Sequence, residues 1–257
     1  MTGGGAAFGD VTVAVAGTRV AEVEMHRPPA NYFDAALLSG VVQSIDWAAA
    51  AGARAVVLCS EGRHFCAGLD FGAAGKPEPG ALATLYGNAR SLIDSPLPIV
   101  VAVQGSAIGG GMGLALVGDF RVAAPSSRFA ANFVQLGFHQ GFGISLTLPS
   151  TVGRQKALDL LVTGRRIDGD EALAIGLCDR LDDDPRAGAR DLAAEIAGSA
   201  PLAVQSIRHT LRSGVIGEFS AMVDHERAEQ LRLMETSDFR EGIAASMERR
   251  PPEFRGE

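Results

Sequence analysis

Lysine is nearly absent from this chain: Lys76 and Lys156 are the two among 257 residues. The formal net charge is −7, which argues against a global basic face for nucleic acid and leaves arginine to hold any anionic ligand. Cysteine is scarce too. Cys59, Cys66 and Cys178 are odd in number and form no CxxC pair, so neither a disulfide framework nor a cysteine zinc site follows. No metal site is expected, and a reducing cytoplasm is the simplest compartment. Long apolar runs are also missing. None reaches the roughly 18 residues of a membrane span, so no membrane insertion is expected. Residues 1–10 are rich in Gly and Ala, with no basic cluster and no apolar stretch. They do not read as a signal peptide, and the expectation is a flexible, frayed tail. No repeat of fixed period and no linker divides the rest.

Hydrophobic residues make up 47% and charged residues 21%, a balance ordinary for a globular chain with a sizeable core. Val11–Val15 and Val20–Glu24 read as a hairpin around Ala16-Gly17-Thr18. Asp34 is placed to cap a helix reaching about Ala51, with Leu37, Leu38, Val41, Val42 and Ile45 on one face. Ala55–Cys59 and Ile99–Val103 are short, wholly apolar runs, the pattern of strands buried on both faces. Residues 72–80 read as a loop, and a helix is expected over 81–94. Phe120–Ala123 and Leu177–Leu181 read as further strands, and 154–163 and 170–175 as helices. From Pro185 onward the pattern is helical, in segments 186–198, 201–212, 218–235 and 238–249. The fold class is therefore mixed α/β with a helical C-terminal region.

Two glycine-rich turns follow the two buried strands. The first is His64-Phe65-Cys66-Ala67-Gly68-Leu69-Asp70; such a turn can leave N–H groups aimed at a ligand. The second, Gln104 to Gly113, carries Gly109-Gly110-Gly111 into a helix, whose first N–H groups lack internal partners. Together they can offer two donors to one oxygen, the requirement of an oxyanion hole. Each turn taken singly is equally compatible with a structural role. The second lacks the GK[ST] ending of a phosphate loop, and no acidic residue completes a dinucleotide unit.

HFCAGLD, then VVAVQGSAIGGGMGLALVGDFRVAA, then LVTGRRIDGDEALAIGLCDRL, resemble the crotonase (enoyl-CoA hydratase/isomerase) superfamily in order and spacing, from about residue 11 to the C-terminus. The resemblance implies a ClpP/crotonase-like α/β fold, with a spiral core of repeated ββα units over 11–190. Residues 191–257 would be a C-terminal helical oligomerisation region of the same domain. It implies an acyl-CoA thioester as substrate, CoA being part of that substrate rather than a cofactor. It also implies self-association as a trimer or a dimer of trimers. The oxyanion donors would be the N–H groups of Ala67 and Gly110, flanked along the substrate channel by Leu69, Asp70 and Gly109. The chain departs from the family pattern where the hydratases carry two glutamates: those positions hold Gly113 and Phe133.

His139, in the run Leu136 to Gly143, is then the one nameable base, since a similar run in dihydroxynaphthoyl-CoA synthases carries a catalytic aspartate there and imidazole titrates near neutrality. The alternative is a histidine hydrogen-bonded within its loop. His64 is a candidate contact to CoA or the first turn, or a surface histidine. Cys66 is a nucleophile if its thiolate is stabilised and otherwise a small buried side chain. Met112, Phe133, Phe138 and Phe142 read as core or acyl-pocket wall. Asp70 and Asp119 read as backbone-orienting groups, and Gln135 and Gln140 as groups able to position a water. Arg27, Arg63 and Lys76 are candidates for CoA phosphates, against a solvated role. Three functions remain open: an enzyme that stabilises a thioester oxyanion or enolate, a non-catalytic acyl-CoA-binding protein, and a scaffold subunit in a fatty-acid complex.

Overall fold

The structure, a computed structural model, describes residues 4–70 and 79–257. Among the described residues ten strands form two sheets: β1 (Gly5–Phe8), β2 (Val11–Val15), β3 (Val20–Met25), β4 (Ala55–Ser60), β5 (Ile99–Val103), β6 (Ser106–Ile108), β7 (Phe120–Ala123), β8 (Arg128–Ala130), β9 (Ile167–Asp168) and β10 (Arg180–Leu181). The larger sheet runs β1-β2-β3-β4-β5-β7-β10 and the smaller β6-β8-β9. From β3 to β10 the larger sheet is parallel. β4 and β5 lie in its middle and are buried at every residue. Their unbroken apolar runs need that environment, because both faces are covered.

The helices among the described residues are α1 (Ala35–Ala50), α2 (Pro79–Ile93), α3 (Gly110–Val117), α4 (Ile144–Val152), α5 (Arg154–Thr163), α6 (Gly169–Ala174), α7 (Pro185–Gly198), α8 (Pro201–Leu233) and α9 (Ser237–Glu248), with a 3-10 turn at Asn132–Leu136. Asp34 caps α1 as the sequence implies, accepting from the Leu37 N–H at 2.8 Å. One face of the main sheet meets α7 through Ala189, Leu192 and Ala193. The other carries the larger core, with α1, α2 and α3.

Three expectations change. Gly5–Phe8, read as part of a frayed tail, pairs antiparallel with β2 from Gly5↔Ala14 to Phe8↔Val11. Ala6 and Phe8 pack on the core, so the strand satisfies its backbone and buries apolar surface at once. The break expected between 212 and 218 does not occur, and α8 runs unbroken for 33 residues. Gly214 and Gly217 cost helix propensity, about 1 kcal/mol each. Phe219, Val223, Glu226 and Gln230, all buried, anchor the helix beyond them. The strand expected at Leu177–Leu181 shortens to Arg180–Leu181. Among the described residues no helix is long and apolar enough to cross a membrane.

Candidate active site

The two glycine-rich turns meet. Cys66 forms a parallel bridge with Ala107 of β6: its N–H donates to the Ser106 carbonyl at 3.0 Å, and its carbonyl accepts from Ile108 at 3.0 Å. Buried Asn31 holds the same turn from behind, donating from Nδ2 to the carbonyls of Glu61 (2.8 Å) and His64 (2.6 Å). Gly68 adopts φ +82°, and a Cβ there would lie 3.0 Å from the Gly110 nitrogen and 3.4 Å from that of Gly111. A Cβ on Gly111 would strike the Cys66 carbonyl, and one on Gly110 would lie 2.6 Å from Cζ of Phe33. The glycines are thus what lets one turn lie against the start of α3.

The donor expected at Ala67 is not available. Its N–H donates to the Ala30 carbonyl at 3.0 Å, a bond that knits the turn to the segment before α1. The Gly68 N–H faces the Cys66 sulfur at 3.4 Å. Leu69 comes next, and among the described residues its N–H has no acceptor; the same holds for Gly110 at the first position of α3. Both residues line one cavity of about 400 Å³. The pair facing the cavity is therefore Leu69 and Gly110, at the positive end of the α3 dipole.

Other candidates divide clearly. Asp70, Gly109, Phe133, Phe138 and Phe142 line the cavity, as does the side of Ala67. Cys66 and Met112 are buried behind it, and burial pushes the Cys66 thiol up to about 12, which removes it as a nucleophile near neutral pH. Gly113 lies outside the cavity lining. A Cβ there would sit 2.8 Å from Cβ of Phe142 and 3.2 Å from Cγ1 of Ile144, so apolar side chains take the space beside it. His139 is not in the lining either. Its Nδ1 lies 2.8 Å from the Gln140 carbonyl and its ring packs edge-on to His225, contacts of the kind expected for a histidine held in its loop. His64 lies off the cavity, its Nδ1 buried against Gly105.

Arg27 is bound by Asp10 (2.7 Å) and Asp34 (2.9 Å), away from the cavity. Gln135 donates to the Thr163 carbonyl and Gln140 to Ser145, and neither side chain lines the cavity. Asp119 orients backbone as expected, accepting from the Ile99 N–H at 2.8 Å while binding Arg208 and Arg212. Lys76 lies outside the described residues. Among those residues the one close grouping of potential metal ligands is Glu22, Glu24 and Cys59. Both carboxylates there are already engaged by Arg186 and Arg190.

Sequence reading missed Phe33 and Tyr86, Asn132 beside Gly109, Arg166 just before β9, and Gln230, Ile243, Ser246 and Met247 from α8 and α9. Arg166 stands in the third family-like segment; the others stand in no recognisable motif, and only folding brings them to one wall. The loop carrying Phe142 is fixed by Glu226, whose carboxylate accepts from the N–H groups of Gly143 (2.7 Å) and Ser145 (2.8 Å). Burial pushes Glu226 above the usual carboxylate range, and those N–H groups pull against it.

Comparison with known proteins agrees with this architecture. Residues 16–257 match the family model described as enoyl-CoA hydratase/isomerase. A probable enoyl-CoA hydratase of Bacillus subtilis (strain 168) is 32% identical over 247 residues, covering 93% of this chain and 96% of that protein. The cyclohexa-1,5-dienecarbonyl-CoA hydratase of Thauera aromatica is 36% identical over 238 residues, covering 89% and 90%. The crystal structure of an enoyl-CoA hydratase/isomerase from Pseudoalteromonas atlantica T6c superposes with a TM-score of 0.86 at 30% identity, covering 96% of this chain and all of that one.

Proposed function

Because this chain belongs to the enoyl-CoA hydratase/isomerase family, we propose that it acts on an acyl-CoA thioester by stabilising negative charge on the thioester oxygen. The observation that supports this is the contact of the Gly68 turn with the start of α3. It leaves the N–H groups of Leu69 and Gly110 without acceptors among the described residues, beside one cavity. A thioester oxygen gains charge as an enolate forms or as a nucleophile adds. Donors fixed around it stabilise the transition state more than the ground state.

The reaction is of the lyase or isomerase type and proceeds without the glutamate pair of the hydratases. The family positions for that pair hold Gly113 and Phe133, and Phe142 occupies the space next to the first. CoA enters as part of the substrate, not as a separate cofactor. Self-association as a trimer or a dimer of trimers, and a cytoplasmic setting, belong to the same proposal.

Gly110 carries the test. Proline is tolerated at a first helical position because that N–H has no intrahelical partner, so Gly110→Pro deletes the donor and spares the helix. Gly110→Ala makes the same approach to Phe33 but keeps the N–H. With a panel of acyl-CoAs, calorimetry measures binding and mass spectrometry measures conversion. Turnover in the proline variant should fall about 10²–10³-fold below that of the alanine variant. Equal rates in two folded variants would defeat the proposal, and binding without conversion in the wild type would assign a carrier.

A further inference from the structure

Phe33, Leu69, Leu85, Phe138 and Phe142 give the cavity wall an apolar stretch, beside the less buried Asp70, Asn132, Arg166 and Ser246. Two buried polar side chains interrupt it. Tyr86 on α2 is 3% exposed and Gln230 on α8 is 4% exposed, and both line the cavity. The Tyr86 hydroxyl donates to Oε1 of Gln230 at 2.7 Å. Nε2 of Gln230 donates to the His139 carbonyl at 3.0 Å. Gly141 packs on both: a Cβ there would strike the Tyr86 hydroxyl and lie 2.6 Å from Nε2 of Gln230.

These bonds hold the pair without exhausting it. A phenol oxygen accepts twice and donates once, and a primary amide has two N–H groups and an oxygen with two lone pairs. After the contacts above, one amide N–H and one amide lone pair remain, together with both phenol lone pairs. A wall built for plain hydrocarbon gains nothing from an amide and a phenol at this depth, since burying them costs free energy unless hydrogen bonds offset it. Burial also raises the Tyr86 phenol above its ordinary range, so it stays a neutral hydroxyl at physiological pH.

We infer that the acyl group of the substrate bears an oxygen substituent, a hydroxyl or a carbonyl, that seats on Tyr86 and Gln230. This rests on the reading of the cavity as an acyl-CoA site and adds the class of acyl group. A site built to hydrogen-bond such an oxygen discriminates against the analogue that lacks it, because its own polar groups are then left short of partners.

The test is calorimetric titration of the full-length protein with hexanoyl-CoA and with its 3-, 4- and 5-hydroxy and 3-, 4- and 5-oxo derivatives. At least one oxygenated thioester should bind about tenfold more tightly than hexanoyl-CoA. Tyr86→Phe and Gln230→Met should each bring that ratio to within about twofold of unity. Two independent variants guard against one failing to fold. Hexanoyl-CoA binding as tightly as every derivative would overturn the inference and leave the proposed function standing. So would a preference that survives both substitutions, or a uniform loss of affinity with the ratio kept. Failure of every thioester to bind would overturn both readings.

Discussion

Gly113 and Phe142 illustrate how a single residue decides what chemistry a site can hold. A glutamate at Gly113 has nowhere to put its Cβ, which would sit 2.8 Å from Cβ of Phe142. Phe142 in turn sits at φ +64°, uncommon for a bulky residue, held there by the Glu226 clamp on Gly143 and Ser145. Gly113→Glu should therefore overpack the site, at a cost of about 1–3 kcal/mol. In thermal melts that is a fall of about 2–4 °C per kcal/mol for a chain of this size. Measured in a Phe142→Ala background, the same substitution should cost less, because the ring and the new carboxylate compete for one space. Equal costs in the two backgrounds would mean that the residues do not compete. The Ala67 result belongs to the same scale. The motif marks the turn, but which amide stays open depends on the Ala30 carbonyl, 37 residues earlier in the chain.

Between elements, charge fastens α7 to β3. Arg186 binds Glu22 and Glu24, and Arg190 binds Glu22. Burial by itself raises the Glu22 carboxyl, and the hydrogen bonds and charges of Arg190 and Arg186 outweigh it, so its pKa lies below the usual carboxylate range. A lowered folded-state pKa contributes stability that is present above the unfolded value and lost as pH falls through the folded one. Glu22→Gln should thus cost about 1 kcal/mol or less at neutral pH, given solvent screening of half-buried pairs. The gap between wild type and variant should close as the pH drops below about 4. Denaturant titrations across that range measure it, and a gap independent of pH would assign the effect to packing. Most of the helices could be placed from the sequence at this scale, though not α4 (Ile144–Val152). The continuity of α8 could not, because Gly214 and Gly217 weaken the local signal while Phe219 and Glu226 secure the helix through distant contacts.

For the whole molecule, several apolar side chains face outward. Leu158 (54% exposed) and Val162 (60%) are one turn apart on α5, and Val162 lines a groove with Val134 and Phe254. Such a patch suits an interface between copies. Under the proposed trimer or dimer of trimers, sedimentation velocity should give that mass for the wild type, and Leu158→Glu with Val162→Glu should shift it toward monomer. An unshifted mass in the double variant would place the interface elsewhere, and a monomeric wild type would remove the proposal.

The sequence by itself determined the α/β class, the two buried strands, the turns that follow them and the glycine entry to α3, because each is written in consecutive residues: an apolar run, a capping aspartate, a glycine triplet. The family resemblance, carried by those same segments, is what put Gly110, Leu69, Asp70 and three of the lining phenylalanines at the site. Tertiary structure alone decided that Ala67 spends its N–H on Ala30, that His139 turns into its own loop, and that Tyr86 and Gln230 meet 144 residues apart. Those outcomes depend on which polar atoms folding brings within hydrogen-bond reach, and that proximity has no local signature in the chain.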